Sequence, residues 1–158
     1  MQEISDGVKH MWRYVKAYFA AVIMIYLLGS IAITQMNLAS LQELGASVPW
    51  PVRLNTTWLD LQGLLMPYLL LVSIAALLAF LVTGQISRFF PTHRVWLYAL
   101  AGFVALLAMH LILKAVLGLW GVAGARPTVG LLLQGFAGAL GGWAYAHWSR
   151  RPSTIFID

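Results

Sequence analysis

The sequence predicts an all-α integral membrane protein, with four transmembrane helices in one antiparallel bundle and both termini in the cytoplasm. Three observations carry that reading. Hydrophobic residues fill 61% of the 158 positions and charged residues only 9%, against about 25% charged in a soluble domain. The apolar residues fall in runs near the ~20 residues that cross a bilayer as a helix, and mean hydropathy is +0.80. The basic residues flank those runs, so the formal charge of +5 reads as membrane topology, with no nucleic-acid partner expected.

The four runs are 17–34, 64–83, 95–117 and 128–148. Helix is the only spanning solution for them. Four segments cannot close a barrel, and lipid offers nothing to satisfy an open backbone. One membrane domain over 1–158 is expected. The first run follows Lys9, Arg13 and Lys16, and Ser30 and Ala32 imitate a cleavage site, as in a signal peptide. Its apolar stretch exceeds the usual length of such a core, so a retained span is expected.

Basic residues then orient the chain. Lys9, Arg13, Lys16, Arg88, Arg94, Arg150 and Arg151 fall on one side of the four runs, and Arg53 and Arg126 on the other. The richer side is the cytoplasmic one. A bacterial plasma membrane is the expected location. Trp12, Tyr14, Trp96, Tyr98, Trp143, Tyr145 and Trp148 mark the inner interface, and Trp58 and Trp120 the outer one.

The outer loop 35–63 carries "NLASLQEL", with Asn37 as a candidate N-cap and Leu38, Leu41 and Leu44 on one face. The pattern predicts a short interfacial helix. "PWP" at 49–51 predicts an extended turn. Thr57 to Asp60 reads as a capping box opening the second span, with Asp60 serving that helix N-terminus. Pro91 and Thr92 stop and restart the chain between spans two and three, and Pro127 opens span four.

Span four is thin. Gly138 and Gly142 form a GxxxG pair, and Gly135 with Ala139 extends the ridge of small residues. Such ridges let backbones approach, either within one chain or between copies.

Polar residues inside the spans converge on one depth. At 1.5 Å per residue, Lys114 lies about 6 Å and His110 about 12 Å below the outer end of span three, and Gln134 about 9 Å down span four. Ser30 and Thr34 share the outer third of span one, and Asp60 and Gln62 the entrance of span two. His110 and Lys114, four residues apart, share a helix face. The candidate ligand-binding residues are therefore His110, Lys114, Gln134, Arg126, Asp60 and Ser30. They would form an outward-facing polar pocket with a positive bias. The plainer alternative is that Lys114 snorkels or pairs with Asp60, while His110 bonds Gln134 or a carbonyl.

Chemistry is constrained from several directions. No cysteine is present, which removes disulfides, thiolate nucleophiles and sulfur-ligated metals. His110 has no histidine at matching depth for a bis-histidine haem. His10, His93 and His147 fall near the inner rim, without the carboxylates that would favour a metal site. No cofactor and no metal are expected. Acid–base chemistry needs an acid and a base in reach, yet no span contains Asp or Glu. A Ser30–His110 pair lacks a nucleophile signature.

The function expected first is that of a non-catalytic accessory, assembly or oligomerising module. It would pack through its small-residue fourth span, with membrane lipids and a homo-oligomer or larger membrane complex as partners. The alternative is a small pore, carrier, or lipid- or anion-binding protein using the outer pocket. A lipid-modifying enzyme ranks third.

Overall fold

A computed structural model describes residues 2–117 and 127–150 of the chain. The elements are α1 (Gln2–Glu43), α2 (Trp50–Gly63), α3 (Leu65–Ile86), α4 (Arg94–Leu117) and α5 (Pro127–Trp148), with a 3-10 turn at Pro91–His93. No strand occurs among the described residues. Four segments are long and apolar enough to cross a membrane: Met11–Glu43 within α1, Leu65–Ile86, Pro91–Val116 and Thr128–Trp148.

The helix α1 exceeds its expected span at both ends. Its 42 residues reach about 63 Å, beyond the ~40–45 Å of a bilayer with headgroups. "NLASLQEL" is the end of this helix and not a separate one, and Asn37 caps nothing. The reason is local: no proline or glycine interrupts the chain between Ser30 and Leu44. Leu38 is buried, and Ser40 Oγ bonds back to the Met36 carbonyl at 3.1 Å. The stop comes at Gly45, in the left-handed region at φ 88°. Gly45 N–H bonds the Gln42 carbonyl and Ala46 N–H the Leu41 carbonyl, both at 3.0 Å. That pair of bonds is a Schellman cap, which favours glycine at the left-handed residue.

The loop does hold a separate short helix, but it is α2. Pro49 is extended at φ −68°, ψ 160°, and Pro51 sits in the first helical turn, where its missing N–H costs nothing. Thr57 and Asp60 therefore lie inside α2 and open no transmembrane helix. Thr57 Oγ1 donates to the Arg53 carbonyl one turn back at 2.7 Å. A single residue, Leu64, joins α2 to α3. Its N–H bonds the Asp60 carbonyl at 2.8 Å, and its own carbonyl accepts Tyr68 N–H at 3.0 Å. Backbone bonding thus crosses the junction, and no side-chain cap is needed.

Contact between α4 and α5 is made by backbone. A Cβ placed on Gly138 would strike the Gly102 carbonyl, one on Gly102 the Gly138 carbonyl, and one on Gly142 the Tyr98 carbonyl. Gly141 lies instead against Ile25 and the Ala21 carbonyl of α1. So α5 is thin on two sides because a helix lies close on each. Around this, Ala21, Ile25, Val72, Ala76 and Leu106 are fully enclosed. Phe80 stacks on Tyr145 with ring centroids 4.6 Å apart, and Tyr98 meets both rings.

Gly138→Leu is expected to lower stability by about 1–3 kcal/mol or more, the usual cost of overfilling a tight contact. Gly63→Ala, at a site with nothing within 4 Å, should change little. Unfolding midpoints of the two purified variants in detergent check this.

Candidate functional site

Gln134 and His110, two of the candidate residues, come to one junction, and Gln134 is its centre. It is only 1% exposed. Tyr68 Oη donates to Gln134 Oε1 at 2.5 Å, and Gln134 Nε2 donates to the Gly29 carbonyl at 2.8 Å. One amide thereby fastens α5 to α3 and α1. Gly29 is required for the arrangement. A Cβ there would overlap Tyr68 Oη and come within 2.8 Å of Gln134 Oε1.

His110 brings α4 to the same junction. Its ring sits edge-on to Tyr68, centroids 6.2 Å apart, and Tyr26 flanks Tyr68 at 6.1 Å. His110 Nδ1–H donates to the Leu106 carbonyl at 2.9 Å. With the proton there, Nε2 of the neutral ring is an acceptor. The Tyr26 hydroxyl donates to the Leu61 carbonyl at the end of α2.

A second polar layer lies above, between α1 and α2. Thr34 Oγ1 is 2.8 Å from Asp60 Oδ2 and 3.1 Å from the Ser30 carbonyl. Arg53 reaches Gln35 Oε1 at 2.7 Å and Gln42 Oε1 at 2.6 Å. Gln35 Nε2 in turn donates to Thr57 Oγ1 at 3.1 Å. Arg53, Thr57 and Asp60 recur at helical spacing, which gives α2 one polar face toward α1. Trp50, Leu54 and Trp58 form its exposed apolar face.

Of the candidate residues, His110 and Gln134 are thus joined through Tyr68. Ser30 is fully buried beside Gly29, and its hydroxyl has no hydrogen-bond partner. Ser30 and His110 therefore form no nucleophile–base pair. Asp60 binds Thr34. Lys114 is half-buried. Arg126 lies outside the described residues, as do Trp120 and the side chain of His10. His93 and His147 are exposed, and His147 packs on Trp143 at 4.4 Å. No group of three metal-ligating side chains occurs among the described residues. Of the helix-packing residues, Gly135 lies against Phe103 and Gly138 and Gly142 lie against α4, while Ala139 is half-buried.

Four contributors escaped the sequence: Tyr68, Gly29, Tyr26 and Gly102. A tyrosine inside a span, away from the aromatic belts, was the available signal for Tyr68. None of the six candidates lines the groove that opens between α3 and α4. That groove, of ≈ 560 Å³, is lined by apolar residues such as Leu71, Ile74, Leu78, Val104 and Ile112, with Thr83 at one end.

The junction predicts opposite outcomes at two buried polar positions. Gln134→Leu strands the Tyr68 hydroxyl and should cost about 1–2 kcal/mol, the upper range for interhelical bonds in membranes. Ser30→Ala removes an unpartnered hydroxyl and should be neutral or stabilising. Denaturation in mixed micelles measures both.

Searches of protein-family models, curated proteins and solved structures give no match to this chain.

Proposed function

We propose that this protein is a non-catalytic membrane module, an accessory or assembly subunit built as one antiparallel four-helix domain. Its termini lie in the cytoplasm of a bacterial plasma membrane, and α2 lies in the outer interface on its Trp50–Leu54–Trp58 face. Lipids and a larger membrane complex are its partners.

The observation that carries this reading is the closed state of the Gln134 amide. Both of its ends are bonded within the chain, to Tyr68 and Gly29. A carrier or pore needs polar groups that face a hydrated path, or that exchange partners with a solute. Here a fully buried amide is used as interhelical glue. The positions of contact support the antiparallel arrangement. Tyr98 meets Gly142 while Gly102 meets Gly138, and Arg94 at the start of α4 reaches Ser149 just beyond α5 at 2.6 Å. The small residues of α5 serve this internal packing, so a partner would be met by other surfaces.

The test is purification of the full chain with its native lipids, followed by mass determination of the intact assembly. A second membrane protein in fixed stoichiometry is expected. It should be retained at the same level by His110→Leu/Lys114→Leu. A polar solute or anion that co-purifies with the wild type and is lost in that double variant would overturn the reading in favour of a binding protein or carrier.

A further inference from the structure

The geometry points to a second, unrelated site: a seat for the phosphate of an anionic phospholipid at the opposite end of the helices, built on Arg13. The observation is a half-buried guanidinium with two unpartnered nitrogens. Nε and Nη2 of Arg13 are buried and have no hydrogen-bond partner. A guanidinium stays protonated, and buried N–H groups left without an acceptor are costly. Neighbouring cations are otherwise engaged. Arg94 Nη2 bonds Ser149 Oγ at 2.6 Å while its guanidinium lies 5.4 Å from the Tyr98 ring. Lys16 sits 6.0 Å from the Trp12 ring.

Register brings Arg13 and Arg94 to one level. Gln134 meets Gly29 and Gly141 meets Ala21, so advancing along α5 retreats along α1. Eight residues on from the Ala21–Gly141 contact, about 12 Å in each helix, stand Arg13 and Ser149. Arg94 is already bound to Ser149. Two guanidinium groups therefore reach the same rim, one bonded to Ser149 and one with Nε and Nη2 unpartnered.

The chemistry selects the ligand. A guanidinium fork pairs best with a planar or tetrahedral oxyanion through two parallel hydrogen bonds. Depth selects the source. Trp12, Trp96 and Trp148 are exposed at this end, and tryptophans of that kind lie at headgroup level. An oxyanion held among them is a lipid phosphate, drawn from a leaflet whose anionic lipids favour basic residues.

The test titrates the full chain in detergent with phosphatidylglycerol, phosphatidylcholine or inorganic phosphate, counting bound molecules by intact mass. Phosphatidylglycerol should bind the wild type about tenfold more tightly than Arg13→Gln, the loss expected for one bidentate contact. Arg88→Gln removes the same charge from an exposed position and should bind as the wild type. Arg13→Lys keeps the charge without the fork, so it should fold normally and bind with intermediate affinity. Wild-type binding in both Arg13 variants overturns the site, as does an equal loss in Arg88→Gln. Equal affinity for phosphatidylcholine also overturns it, and displacement by millimolar inorganic phosphate overturns the lipid as its occupant.

Discussion

The arrangement of helices depends on one amide. Gln134 is a polar side chain at a depth where lipid offers it nothing, so its two ends must be satisfied by protein. The donor and acceptor that satisfy it come from different helices, Tyr68 on α3 and the Gly29 carbonyl on α1. A leucine could fill the same volume against many neighbours and in many registers. An amide with one fixed donor and one fixed acceptor tolerates a single register. That selectivity is what a membrane fold needs, because apolar side chains gain little by leaving lipid for one another. His110 and Tyr26 complete the setting by holding the Tyr68 ring from two sides.

The glycines answer a related constraint. In water, burial alone draws helices together. In lipid the gain must come from close contact of atoms, and that is greatest where backbones touch. Gly102, Gly138 and Gly142 place α4 and α5 at that distance, while Gly141 admits Ile25 of α1. Gly29 has a different purpose. Its lack of a side chain opens the space that Tyr68 Oη and Gln134 Oε1 occupy, so packing and hydrogen bonding are linked at that position.

Much of this was legible in the sequence, for physical reasons. The spans stood out because lipid demands long apolar helices, and α4 and α5 begin and end within a residue of the expected limits. Convergence of Gln134, His110 and Ser30 at one depth followed from helical rise alone. Its consequence did not follow, because depth is silent on which way a side chain points. The expected pocket and the closed junction share Gln134 and His110, and the direction of those side chains is what brings Tyr68 and Gly29 in as their neighbours. The loop misread for a similar reason. Asn37 and Thr57 resemble caps, but a cap signal operates only where the helix actually ends. Here α1 runs to Glu43 and is closed off by Gly45, and α2 runs through Thr57. Tyr68 and Gly102 were invisible because each is ordinary alone and gains its role only from a partner on another helix.

The face between α3 and α4 follows from the same rule in reverse. Helix α3 is fastened by Tyr68 toward α5, by the Ser73 carbonyl, which accepts Tyr18 Oη at 2.7 Å, and by Phe80 stacked on Tyr145. All three contacts draw it toward α1 and α5. Toward α4 it presents Leu71, Ile74, Leu78 and Val82, bulky groups that hold backbones apart. Ring contacts of Tyr68 with His110 and of Phe80 with Tyr98 do join the two helices, but along the groove the hydrophobic effect adds little, because lipid chains solvate the walls equally well. The groove is thus the expected result of where the directional contacts lie. The hydrogen bonds of α3 go to α1 and α5, its contacts with α4 are made by rings, and the groove is the stretch that neither kind of contact reaches.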